Sequence, residues 1–225
     1  VAKARSNRAQ PIGRQAAREE LFRREGDALA EACVRAAAAA AEETPQIYRQ
    51  QAFCLALAIG LDTGEQLRGL PLVGELVRAI EPEDARAVRL ATLGLPTMRN
   101  RHDLAQHFWV SAAIASIAGP AAAEAAGVAK ELRDADGGSG FSFCDLCADL
   151  AGISLAERLK SGQAPYSALR RQFEVAGYLP PVDDLVEGLA KQEFAERFGS
   201  TSDPRFLAAR QQILDQIAEL RRTDR

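Results

Sequence analysis

The chain has 225 residues and a formal net charge of −3, with a pI near 5.6, a balance that argues against a generally nucleic-acid-binding surface. Hydrophobic residues make up 47% and charged residues 26%, the proportions of a folded chain long enough to bury a substantial core. Four cysteines are too few for a disulfide scaffold at this length, and no apolar run reaches a membrane span.

Alanine is abundant and β-branched residues are sparse, so the expected class is all-α, a multi-helix bundle with a less regular C-terminal extension. Residues 1–14 read as a basic, flexible arm. Lys3, Arg5, Arg8 and Arg14, followed by Arg18, Arg23 and Arg24, precede most of the acids, which makes this end a candidate contact for an anionic surface. Residues 15–160 read as the helical core. Its first helix runs from Gln15 to Glu43, with Leu21, Phe22, Leu29 and Cys33 in an apolar stripe. Thr44 and Pro45 predict a new helix start, Thr as N-cap and Pro in the first turn, leading into the apolar AFCLALAIGL stretch. A shorter helix over Leu72–Ile80 and one from Glu83 to Leu93 follow.

Asn100 reads as the N-cap of the most apolar helix, 101–118. Gly119-Pro120 breaks it, and a further helix runs over 121–135. The Asp136–Gly140 loop leads to a helix over 142–160. Residues 161–225 are expected to pack on the core as an extension, with short helical pieces around Asp184 and over Lys191–Phe198. Asp203-Pro204 then starts a last amphipathic helix.

Polar groups collect in the region 100–152. Asp103 and His107 stand one turn apart and share a face, while no charged residue occurs from Phe108 to Ala118. A helix apolar all round is normally buried, so the pair sits at the mouth of a buried helix. Capping alone also accounts for Asp103, and a satisfied core histidine for His107. In the next helix Glu124, Val128 and Glu131 align, and Lys130 and Asp134 are four apart. Asp134 and Asp136 oppose the dipole of their helix and call for a cation or a donor-rich loop. Ser142, Asp145, Asp149 and Gly152 form one stripe; Ser142 with Asp145 is a capping signature, and Asp149 is left without a local role.

Competing motifs fit less well. The DADGGSGFSFCD stretch lacks the glycine and oxygen ligands of a calcium loop. The two histidines are five apart, whereas zinc peptidases space theirs by four. Cys144 and Cys147 make a lone C-x-x-C that, with Cys33 and Cys54, reads as buried thiols rather than a four-thiolate zinc site.

The ordered elements H-D-x-x-x-H-F-x-x-S, G-x-x-K-E-x-x-D and G-S-G-F-S-x-x-D-L-x-A-D-x-A-G resemble the YfiM-like family of bacterial envelope lipoproteins and, more remotely, the VanZ-like membrane proteins. The resemblance covers residues 102–152 only. It implies that Asp103, His107, Lys130, Glu131, Asp134, Ser142, Asp145 and Asp149 belong to one motif, and it implies a bacterial envelope or periplasmic setting, with the cytoplasm left open. It implies no reaction. This chain lacks a lipobox cysteine and carries long flanks.

The expectation is therefore a helical protein binding a metal or small ligand through Asp103, His107, Glu131, Asp134, Asp145 and Asp149, with Lys130 and Ser142 in support. A divalent metal would be held by His107, Asp103, Glu131 and Asp134. A metal-dependent hydrolase using the same groups, and a structural hydrogen-bond network, are the alternatives.

Overall fold

The computed structural model describes residues 24–62, 67–69 and 73–223. The basic arm, and the first turns of the helix expected from Gln15, lie outside the described residues. The protein is all-α. Among the described residues ten helices follow one another: α1 (Gly26–Glu43), α2 (Gln46–Gly60), α3 (Val73–Ile80), α4 (Glu83–Thr92), α5 (His102–Ala118), α6 (Pro120–Ala135), α7 (Phe143–Lys160), α8 (Tyr166–Gln172), α9 (Lys191–Phe198) and α10 (Pro204–Thr223). Among the described residues there are isolated bridges but no strand.

Helix α5 is the centre. It packs against α7, α2 and α6, and α7 in turn meets α6 and α10. Leu104, Phe108, Trp109 and Ala112 are fully buried, as a helix without a charged face requires. The closest approach is between α5 and α7. A β-carbon on Gly152 would overlap the carbonyl oxygen of Phe108, so glycine lets the two backbones meet. The stripe Ser142–Asp145–Asp149–Gly152 is thus the α5-facing side of α7, and its acids are carried inward with it.

The entry to α5 differs from expectation. Asn100 does not cap the helix; Arg101 takes the N-cap place and makes no side-chain cap bond. Arg99 and Asn100 instead adopt positive φ, 56° and 60°, in a two-residue turn closed by Met98 and Arg101, whose amides each donate to the other's carbonyl (2.9 and 3.1 Å). Such a turn costs energy for residues other than glycine. The Asp27 carboxylate offsets this by accepting from the amides of Arg99 (3.0 Å) and Asn100 (2.9 Å) and from the Thr97 hydroxyl. The Arg99 guanidinium reaches the Leu179 carbonyl. The competing pull of these partners outweighs simple capping.

Other local expectations are also revised. Thr44 closes α1 and Pro45 takes the N-cap place of α2. The Asp184 region is a turn, not a helical piece, whereas Tyr166–Gln172 is helical and Val175–Gly177 forms a 3₁₀ turn. Asp203 accepts from the Arg205 amide and starts α10 as expected.

The C-terminal segment holds the start of α7 in place. Phe141 and Leu189 exchange backbone hydrogen bonds (2.8 and 3.1 Å), and the Phe143 amide donates to Val186. Around them Phe141 stacks on Phe194, centroids 4.5 Å apart, and Phe143 packs on Phe198 and Phe206.

Candidate metal centre

Three helices turn ionisable groups toward one another. His107 comes from α5, Glu131 from α6, and Asp145 and Asp149 from α7. One donor atom each from His107, Glu131 and Asp145 lies within 4.8 Å of the other two. His107 and Glu131 are buried, and the Asp145 side chain is 13% exposed.

Helix capping explains how Asp145 becomes available. At the start of α7 the Ser142 hydroxyl accepts from the Asp145 amide at 3.1 Å, as the capping signature predicts. In a complete capping box the acid three residues on would accept from the Ser142 amide. Here Glu131 takes that amide, at 3.0 Å. Asp145 is released from its local role, and one of its oxygens faces His107 Nε2 at 3.3 Å. Its Oδ1 has no hydrogen-bond partner among the described residues.

The other ring nitrogen is held from behind. His107 Nδ1 lies 3.1 Å from Asp149 Oδ1, which also accepts from the Ser111 hydroxyl at 2.6 Å. Gly127 makes room for this carboxylate, since a β-carbon there would overlap Asp149 Oδ2. A carboxylate on the rear nitrogen fixes the ring orientation and raises the basicity of the front nitrogen, the usual support of a metal-ligating histidine.

The titration directions follow from this packing. Burial pushes the His107 pKa down, but the hydrogen bond and charge of Asp149, with the charge of Asp145, together outweigh it and leave the ring above its ordinary value. Burial, then the charge of Asp145, raises the Glu131 carboxyl, only partly offset by Lys130 and the Ser142 amide. Burial also raises Asp145, with Asp103 and Asp149 adding to it against His107 and Lys130. Two carboxyls that resist ionisation side by side are groups whose charge a cation would stabilise.

Asp103 and Asp134, expected among the ligands, are engaged elsewhere. Arg101 grips both oxygens of Asp103 (2.6 and 3.2 Å) and reaches Glu187 at 2.7 Å. Burial would raise Asp103, but this guanidinium more than reverses it and lowers the carboxyl. Lys130 bonds Asp134 at 2.7 Å and Glu131 at 3.0 Å. Asp134 also receives the amides of Gly138 and Gly140 on its carbonyl, and Asp136 pairs with Lys191 at 3.1 Å. The cations and donors that this helix end calls for are therefore present, and the acids of the glycine-rich loop do not converge as a calcium loop would. His102 leaves the site altogether, its Nδ1 on the Pro96 carbonyl at 2.7 Å.

Arg101 and Ser111 are the groups that residue patterns alone leave unassigned. Arg101 has no periodic signal, because its partner Glu187 lies far along the chain. Ser111 stands four residues after His107, on the same face, which is a usable signal. The four cysteines are free, and burial lifts Cys54 and Cys147 to about 12 and Cys33 and Cys144 to about 11. Cys33 is only partly buried, unlike the other three, and neutral thiols of this kind are poor metal ligands and poor nucleophiles. No helix among the described residues is long and apolar enough to cross a membrane.

No family model, curated protein or solved structure matches this chain.

Proposed function

We propose that this chain is a metal-binding helical protein whose centre is His107, Glu131 and Asp145, and that it takes a divalent first-row transition ion such as zinc. The observation that carries this reading is the convergence of donors from three helices with a carboxylate oxygen, Asp145 Oδ1, that has no hydrogen-bond partner among the described residues and only the Arg101 guanidinium, at 3.9 Å, as a counter-charge. A buried, unsatisfied charged acceptor is costly, and a cation removes that cost. One imidazole nitrogen with two carboxylates suits zinc or its neighbours better than calcium or magnesium, which prefer all-oxygen shells.

Bonds of about 2.1 Å around a tetrahedral ion set the donors about 3.4 Å apart. The three side chains need only close by on the order of an ångström to meet that geometry. Lys130 then shifts its hold from Glu131 toward Asp134, an exchange its flexible stem allows.

Elemental analysis and calorimetric titration test the reading. One zinc per chain is expected, with affinity falling at least about a hundredfold in His107→Ala. A wild-type chain that takes up no stoichiometric metal would reduce these residues to a hydrogen-bond network.

A further inference from the structure

Helix α4 has an apolar stripe that covers nothing. None of its residues is buried, yet Ala85, Val88 and Thr92 form one side of a groove of about 620 Å³. The floor is supplied by α1 and α2, with Cys33, Ala37, Ala56 and Gly60 in it. These side chains are small, so the backbone of another helix fits over them at the usual separation of about 8–10 Å. Arg89 also borders the groove, but Glu81 and the Gly60 and Asp62 carbonyls already hold it. The demand of the groove is therefore for apolar side chains. Its one acid, the exposed Asp84 near the start of α4, adds a demand for a cation at that end.

The described chain begins at the opposite end. A β-carbon on Gly94 would press on the Arg24 carbonyl oxygen at 3.1 Å, and the Gly26 amide donates to the Leu95 carbonyl at 3.0 Å. Gly94 and Leu95 border a smaller cavity that shares Gly60, Arg89 and Leu93 with the groove, so the two adjoin. The residues just before Arg24 are those in which the sequence predicts the first turns of a helix. Ala17 and Leu21 are four apart, Phe22 stands beside Leu21, and three residues back from Ala17 the same face carries Arg14. Only Arg24 and Glu25 lie between Arg23 and α1, and so short a link joins helices that run antiparallel. Gly26, at φ 60°, has the conformation that suits such a reversal. Residues 14–23 rise about 15 Å as a helix, the same length as the ten residues of α4.

We propose that residues 14–23 of this chain fill the groove, folded back along α1 beside α4. Ala17, Leu21 and Phe22 lie on its floor, and Arg14 reaches Asp84 at the far end. The assignment is independent of the metal centre.

Cross-linking in the full chain tests it, because Cys33 lines the groove and is the one cysteine only partly buried. Mild oxidation of Ala17→Cys with copper phenanthroline is expected to join the introduced thiol to Cys33 within one chain, with a yield that does not change on dilution. Ser6→Cys, placed in the arm beyond the groove, should give at least about tenfold less. A second measurement leaves the cysteines as they are. Leu21→Asp with Phe22→Asp should uncover Cys33 and speed its alkylation by N-ethylmaleimide at least about tenfold. Leu21→Met with Phe22→Leu should keep the wild-type rate, and amide protection in α5 and α7 should be unchanged in both. Equal alkylation of Cys33 in the wild type and the Asp variant overturns the proposal, as do equal cross-link yields from Ala17→Cys and Ser6→Cys. A Cys33 cross-link that forms only between chains overturns it too and gives the groove to a second copy. If the Asp variant unfolds, the cross-link yields decide alone.

Discussion

Two glycines decide how closely the site's residues can stand. Gly152 faces the Phe108 backbone and Gly127 faces the Asp149 carboxylate. The two positions differ in what can yield. At Gly152 the neighbour is main chain at the centre of the fold, so Gly152→Ala must push α5 and α7 apart, at about 1–3 kcal/mol or more for an overpacked core. Denaturant unfolding should show that loss directly. At Gly127 the neighbour is the end of a side chain that can swing away. Gly127→Ala should therefore cost less stability and weaken zinc binding instead, by about ten- to a hundredfold, because the support behind His107 is displaced. A Gly127→Ala chain that keeps wild-type zinc affinity would show that Asp149 does not prepare the ring.

At the scale of elements, α3 and α4 are held differently from the rest. Among the described side chains of the two helices Val77 is buried, while Leu76, Ile80, Val88 and Leu90 stay exposed. What fixes them is charge. Glu81 accepts from Arg89 (2.6 and 3.0 Å) and Arg68 (3.2 Å), and Arg89 also donates to the Gly60 and Asp62 carbonyls. Burial tends to raise the Glu81 carboxyl, but the two guanidinium groups outweigh it, and the folded carboxyl lies below its ordinary value. The sign follows from that direction: the stabilisation is present above the unfolded-state value and is lost as pH falls through the lowered folded value. Protection factors across α3 and α4, which are corrected for the intrinsic slowing of exchange in acid, should fall on acidification through that range, with α5 and α7 staying protected. Glu81→Gln should give the same lowered protection at neutral pH. A uniform fall over all helices would mean that the Arg–Glu network does not act locally.

How much of this the residue order discloses depends on the range of the interaction. Helices α5, α6 and α7 are legible because one uninterrupted apolar segment, a Gly-Pro break and a Ser142–Asp145 cap are local features. His107 and the otherwise unexplained Asp149 stand out for the same reason, as residues that their own helices leave without a role. That Asp145, rather than Asp103 or Asp134, faces His107 and Glu131 is not legible. It turns on Glu131 taking the Ser142 amide, and on Arg101 bridging to Glu187 across 86 positions. The positive-φ turn before α5 is hidden likewise, since Asp27 holds it from 72 residues away. Tertiary competition for donors overrides local capping in each case.

On the scale of the whole molecule, the donor triad joins helices that the hydrophobic core also joins. The buried apolar cluster extends from Val34 to Ile217, and α5, α6 and α7 cross its middle. An ion bound there therefore binds the native state and not the unfolded chain, and its affinity becomes global stability. At a free zinc concentration of a hundred times Kd, the gain is about 2.7 kcal/mol. For a chain of this length that raises the melting temperature by roughly 5–10 °C. Glu131→Gln separates this linkage from ordinary packing. The variant keeps an acceptor for the Ser142 amide and removes an ionic ligand, so its metal-free melting temperature should lie near the wild type while its response to zinc disappears. Equal zinc stabilisation of the two chains would place the ion outside the triad.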